Sequence, residues 1–259
     1  MTALDPLARL ERILVSSDGS EFGEGAIRLA IALAAKSGAK LTAMTMVSTN
    51  PEFEALAPGL LSKKESEAMA FLDSVAQQAG EAGVDCQPKL CRGDDPSRET
   101  IEAARKINAD LIVMGRRGRR GLARLMLGDA TVKVIGKGPC SVLVVPKASQ
   151  MWKDRILLAT DGSRFSDAAA VTASKIAQYC QSAITVVSAL VPSHNAQRQQ
   201  EGRESVTRIV NLLREFFAVE NLGPSPDRID PDLNVLLVVH PKELKDGARY
   251  ALDQYLLRG

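Results

Sequence analysis

Nine residues, Arg12-Ile-Leu-Val-Ser-Ser-Asp-Gly-Ser20, return 143 positions downstream as Arg155-Ile-Leu-Leu-Ala-Thr-Asp-Gly-Ser163. Each copy runs from a short apolar stretch into a turn-forming Asp-Gly-Ser. Apolar residues at helical spacing follow, then a second β-branched run, so the similarity extends through Val47 and Leu190. A repeat of domain length within 259 residues predicts two related domains in tandem, one over 9–148 and one over 152–259.

The first copy reads as a full alternation of strands and helices. Residues 13–17 form a short apolar strand. Phe22, Ala26, Leu29, Ala30 and Leu33 recur at helical spacing behind an N-cap at Ser20. Residues 41–47 are a second strand, Phe71, Leu72, Val75, Ala76 and Ala79 a second helix, and residues 84–91 a third strand whose Pro88 suits a sheet edge. Asp95-Pro96 pairs an N-cap with proline at the first helical position. Residues 111–114 and 141–145 supply strands four and five, around a short helix beginning near Asp129. Such alternation predicts an α/β fold: an open parallel five-stranded sheet with helices on both faces. Right-handed crossovers then favour the strand order 3-2-1-4-5, with a ligand crevice where the order reverses, between strands one and four.

The second copy is incomplete. Val206, Ile209, Val210, Leu213, Phe216 and Phe217 form a helical stripe, proline-rich sequence follows, and residues 235–239 and about 242–257 read as a strand and a helix. It contains no second glycine motif and no closing strand, which predicts a degenerate or truncated domain. The tail, 222–259, has two readings. It is a diverged strand-three and helix-three pair of the same fold, or a fusion or frame change, since its Asn234 to Leu244 and Tyr250 to Gly259 segments resemble auxiliary subunits of gliding-associated ABC transporters.

Chemistry concentrates behind strand four. Asp110-Leu-Ile-Val-Met114 leads into Gly115-Arg116-Arg117-Gly118, and nine residues separate Gly118 from Gly128. A strand that ends in a glycine-spaced loop and reopens as a helix can hold phosphate, because glycine admits close backbone N–H approach and a helix start carries partial positive charge. The spacing, with the preceding apolar strand and the following Pro139-Cys-Ser-Val-Leu-Val-Val145, resembles the G-x2-G-x9-G-(S/T) signature of the universal stress protein family over residues 9–146. Asp129 departs from it, standing where Ser or Thr is expected.

The resemblance implies a domain that binds ATP or a related adenine nucleotide and acts as a stress-response or regulatory module. It implies ligand contacts from Ser17 and Asp18 at the end of strand one, and from backbone at Met46 and Val47 for the adenine edge. It implies a phosphate loop of Met114, Gly115, Arg116, Gly118, Gly128, Asp129 and Ala130. A carboxylate at Asp18 suits ribose hydroxyls or an adenine amine, and equally an Asx turn beside glycine. Met46 and Val47 read equally as sheet core. An ionised Asp129 accepts hydrogen bonds but donates none and repels phosphate. Its two readings are a plain N-cap and a contact to phosphate through Mg²⁺. Arg116, Arg117, Arg119, Arg120 and Arg124 suit polyphosphate, a solvated loop or, third, a nucleic-acid backbone, for which interleaved aromatics are missing.

Other function classes find little material. The net charge of +2 argues against bulk attraction to nucleic acid or membrane. Cys86, Cys91, Cys140 and Cys180 form no C-x-x-C pair and read as buried free thiols, and two histidines cannot supply an imidazole-rich metal site. No catalytic base or nucleophile stands out, so enzymatic activity is at most slow ATP hydrolysis. No apolar run is long enough to span a bilayer, which predicts a soluble, cytoplasmic protein. In the family, the strand equivalent to Ser141–Val145 pairs with a second domain's counterpart. With no counterpart of residues 140–146 in the second copy, a homodimer through Ser141–Val145 is the expected assembly. The rival to nucleotide binding is a pure interaction module that keeps the fold for dimerisation.

Overall fold

The computed structural model describes residues 10–116, 127–151, 155–159, 163–188 and 235–239, with scattered helical positions between 200 and 214. The chain divides into two compact units, residues 9–151 and 152–259, the latter taking in residues 1–8.

The first unit carries β1 (Arg12–Ser16), a 3-10 turn (Glu21–Gly23), α1 (Glu24–Ser37), β2 (Lys40–Ser48), α2 (Pro51–Leu56), α3 (Pro58–Glu81), β3 (Cys86–Gly93), α4 (Pro96–Lys106), β4 (Leu111–Gly115), α5 (Asp129–Lys137) and β5 (Ser141–Val145). All strand pairings are parallel and the order is β3-β2-β1-β4-β5. The crossovers therefore reverse direction between β1 and β4, as the alternation predicts.

Central strands here are apolar on both sides because both faces are covered. Leu14 points into a cluster with Met44, Ile101, Ala104, Ile112 and Val134, residues of β2, α4, β4 and α5. Its neighbours Ile13 and Val15 alternate to the opposite face and are equally buried. Pro88 sits in the edge strand β3, where its missing N–H costs no ladder bond on the outer side.

Asp95 caps α4 as predicted: its Oδ1 accepts from the Ser97 and Arg98 amides at 2.8 and 3.3 Å, with Pro96 in the first turn. Three local expectations are corrected. Ser20 precedes a 3-10 turn and makes no side-chain cap bond. The second helix begins at Pro58, well before the Phe71 stripe, and a short α2 precedes it behind an Asn50 cap. Of the cysteines only Cys180 is buried; the other three are half-buried, and all four are free.

In the second unit β6 (Arg155–Ala159), α6 (Arg164–Cys180), β7 (Ala183–Ser188) and β8 (Val235–Val239) form a parallel three-stranded sheet in the order β6-β7-β8. Ser163 caps α6 through its hydroxyl, accepting from the Ser166 amide. Leu158, Ala170, Ala177, Ile184, Val186 and Ile209 make its core. Leu157, the repeat equivalent of the fully buried Leu14, is 66% exposed. The expected helix over 242–257 lies outside the described residues.

Candidate functional site

At the carboxyl ends of β1 and β4, where crossover direction reverses, a cleft of about 1150 Å³ opens in the first unit. One wall begins with the turn after β1. Asp18 Oδ1 accepts the Ser20 amide at 3.0 Å and Ser17 Oγ accepts the Gly19 amide at 3.2 Å. Gly19 completes this Asx turn at φ 70°, the left-handed region where a Cβ is strained. The local Asx reading of Asp18 is thus realised, and the same residue lines the cleft. The floor is the end of β2, including Met44, Met46 and Val47, with Met114 and Gly115 of β4 beside it.

The opposite rim is the start of α5. Gly128, Asp129 and Ala130 face the cleft, as does Thr131, which is buried and donates its hydroxyl to the Gly115 carbonyl at 3.2 Å. The N-cap reading of Asp129 is overturned. Gly128 occupies the cap position without a side-chain bond, and Asp129 is the first helical residue. Its carboxylate lies one turn from Lys133 instead, Oδ2 to Nζ 2.8 Å, and its side chain is 83% exposed. The hydrogen bond and charge of Asp129 push the Lys133 ammonium pKa up, and Asp95 adds to this from α4. Asp95 is held below its ordinary range, first by the Ser97 hydroxyl at 2.6 Å, and also by the Ser97 and Arg98 amides and by Lys133.

Nine of the residues singled out in the sequence therefore share one cleft: Ser17, Asp18, Met46, Val47, Met114, Gly115, Gly128, Asp129 and Ala130. Arg116 is not among its lining residues. Its backbone closes the base of the glycine loop, the amide donating to the Val145 carbonyl at 3.0 Å and the carbonyl accepting the Gly128 amide at 2.9 Å. Gly118 and the arginines 117, 119, 120 and 124 lie outside the described residues.

The sequence reading missed a third wall. Lys64, Glu67, Ala68 and Phe71 of α3 line the cleft, as do Asp94, Asp95 and Thr100 around the start of α4. Thr100 Oγ1 donates to the Pro96 carbonyl and lies 3.0 Å from Ser16 Oγ, joining α4 to the end of β1. The Asp95-Pro96 start was legible, but only the fold shows that it faces β1.

Among the described residues no three His, Cys, Asp or Glu side chains group as a metal centre, and no helix is long and apolar enough to cross a membrane. The half-buried Cys140 thiol is pushed up to about 12 by burial, with Asp110 adding to it, which disfavours a reactive thiolate.

Residues 9–146 match the model of the universal stress protein family, and residues 185–259 match that of an ABC-type uncharacterized transport system. The second match bears on the two readings of the tail, since that part of the chain is matched by a different family rather than by a second stress-protein domain. The repeat, which runs from Arg155 through Leu190, overlaps the start of that match. A universal stress protein of Synechocystis sp. is 32% identical over 149 residues, covering 52% of this chain and 96% of the relative. A solved universal stress protein from Archaeoglobus fulgidus shares the fold, with a TM-score of 0.63 at 15% identity over 95% of this chain and 83% of its own. Another, solved in complex with cAMP, is 26% identical with a TM-score of 0.45, covering 53% of this chain and 98% of its own.

Proposed function

The chain belongs to the universal stress protein family through residues 9–146, and from that premise we propose that its first unit binds ATP or a related adenine nucleotide in the cleft between β1 and β4. The observation that carries this reading is convergence. The Asp18 turn, the end of β2, Gly115 and the unobstructed start of α5 all meet at the topological switch point.

In this reading Asp18 accepts hydrogen bonds from ribose hydroxyls or the adenine amine. Backbone at Met46 and Val47 meets the adenine edge. Gly115, Gly118 and Ala130 bring backbone and the α5 start to the phosphates, while Arg116 and Gly128, whose own amides close the loop base, hold that loop in place, and Gly128 contributes no capping side chain to compete for the first-turn amides. Asp129 would be the residue to hold a Mg²⁺ accompanying the phosphates, and the ion would supply the positive charge that offsets a carboxylate otherwise repulsive there. Occupancy changes the surface that the cleft's rims show to a partner, which makes the module regulatory rather than strongly catalytic. The second unit, 152–259, is proposed to be a separate α/β domain.

Calorimetry on the full chain with ATP and ADP, each with Mg²⁺, tests this. Binding is expected, and a bulky side chain in place of Gly118 is expected to weaken it by obstructing backbone approach. Absence of binding to the wild type would leave the interaction-module reading, which the engaged Asp129 carboxylate favours.

A further inference from the structure

We infer that Arg28 and Glu21 are positioning residues for the cleft, acting through a strap, residues 146–149, that leaves β5 and runs back across the start of α1. The strap is held at three points. The exposed Arg28 reaches the Lys147 and Ser149 carbonyls with Nη2 at 2.9 and 3.3 Å. Glu21 pairs with the Lys147 ammonium. At Gly25 a Cβ would lie 2.2 Å from the Pro146 carbonyl oxygen and 2.8 Å from that of Lys147, so the strap lies directly on the helix backbone.

The strap is linked to both rims of the cleft through neighbouring residues. Ahead of Pro146, the Val145 carbonyl takes the Arg116 amide and the Arg116 carbonyl takes that of Gly128, so the base of the glycine loop is tied to the residue from which the strap departs. On the other rim, Glu21 directly follows the Asp18–Ser20 turn. There Gly23 packs so closely on Ser17 that a Cβ would fall 2.2 Å from its Oγ. Exposed ion pairs of this kind add little to stability, so their placement, joining positions more than a hundred residues apart, is the informative property.

Seating the strap therefore favours the closed loop base, and a ligand that holds the Arg116–Gly128 base closed favours the seated strap. By linkage the two effects are equal and reciprocal. Residues 150 and 151 close the first unit directly after the strap, so the ligand state of the cleft is passed to the end of that unit. This last step rests on the nucleotide reading; the strap's hold on the loop base does not.

The test is NMR-detected amide exchange on the full chain, first without ligand, comparing wild type with Arg28→Ala and Glu21→Gln. The Arg116 and Gly128 amides are expected to exchange about tenfold faster in Arg28→Ala, with amides of β1 and β2 unchanged. Unchanged Arg116 and Gly128 exchange in both variants would overturn the proposal, and so would uniform acceleration across β1 and β2, which marks a merely structural role. A second arm uses ATP with Mg²⁺. It should slow exchange at 147–149 in the wild type, and Arg28→Ala should weaken ATP binding by about fivefold and abolish that protection. If ATP fails to bind the wild type, the nucleotide reading falls, while the ligand-free arm still decides the strap.

Discussion

Asp129 and Lys133 face each other across one turn of α5 at 2.8 Å, with Asp129 where the family signature carries a hydroxyl. Replacing Asp129 by Ser supplies a donor, removes one negative charge from the rim and releases Lys133 toward the cleft. Asp129→Ser is therefore expected to bind ATP in EDTA about tenfold more tightly than the wild type, since one charge removed at short range is worth roughly 1 kcal/mol or more. Wild-type affinity is expected to drop sharply on chelation; equal titrations with and without EDTA would remove the metal contact. Asp95 gives a second residue-level outcome. Its folded pKa is lowered, so its contribution is present above the ordinary carboxylate range and is lost as pH falls through the lowered value, in the window below about pH 4. Asp95→Ala should cost about 1 kcal/mol at neutral pH, whereas Asp95→Asn keeps the cap and flattens this part of the acid-unfolding curve. An acid titration followed by circular dichroism separates the two variants.

At the scale of elements, β5 closes one edge of the first sheet, paired among the described residues only with β4 and half-buried along Ser141 to Val144. On α5, which packs beside it, Val132 and Ile135 are 50% and 49% exposed. An apolar edge strand beside an apolar helix face invites pairing, and a two-fold antiparallel contact closes on itself. A homodimer in sedimentation at tens of micromolar is the expected result, with Val144→Lys shifting it toward monomer by burying unpaired charge; a wild-type monomer there would count against the contact. The helix α3 shows why an element boundary can hide in a sequence. Its second half buries Leu72, Val75 and Ala79 in a regular stripe, but of its first half only Leu61 is buried, because Lys64, Glu67 and Ala68 line the cleft. The apolar period that marks a helix is absent where the helix serves a site instead of a core.

On the scale of the whole molecule, the internal repeat sets a controlled comparison. Leu14 and Leu157 hold equivalent positions in β1 and β6, yet one is fully buried and the other 66% exposed. In the first unit α4, β4 and α5 cover that face, while β6 has only β7 beside it among the described residues. Leu14→Ala should therefore cost about 2–5 kcal/mol, and Leu157→Ala less than about 0.5 kcal/mol. Urea denaturation followed separately for each unit checks this; a comparable loss at Leu157 would show that its face is covered in solution.

What the sequence determined by itself was whatever depends on local pattern. Apolar strands bounded by Asp-Gly-Ser turns, the Asp95-Pro96 cap and the parallel alternation led to the order β3-β2-β1-β4-β5 and to a crevice holding Asp18, Gly115 and Gly128. Side-chain roles set across the fold were decided only by tertiary structure. Asp129 makes no cap because Gly128 takes that place and Lys133 stands one turn on. The α3 wall and the Arg28 strap bring together residues far apart in the chain, and no periodicity records them. The repeat gives Leu14 and Leu157 equivalent positions, and burial separates them, because a strand is buried on both faces only when its neighbours supply the layers that cover it.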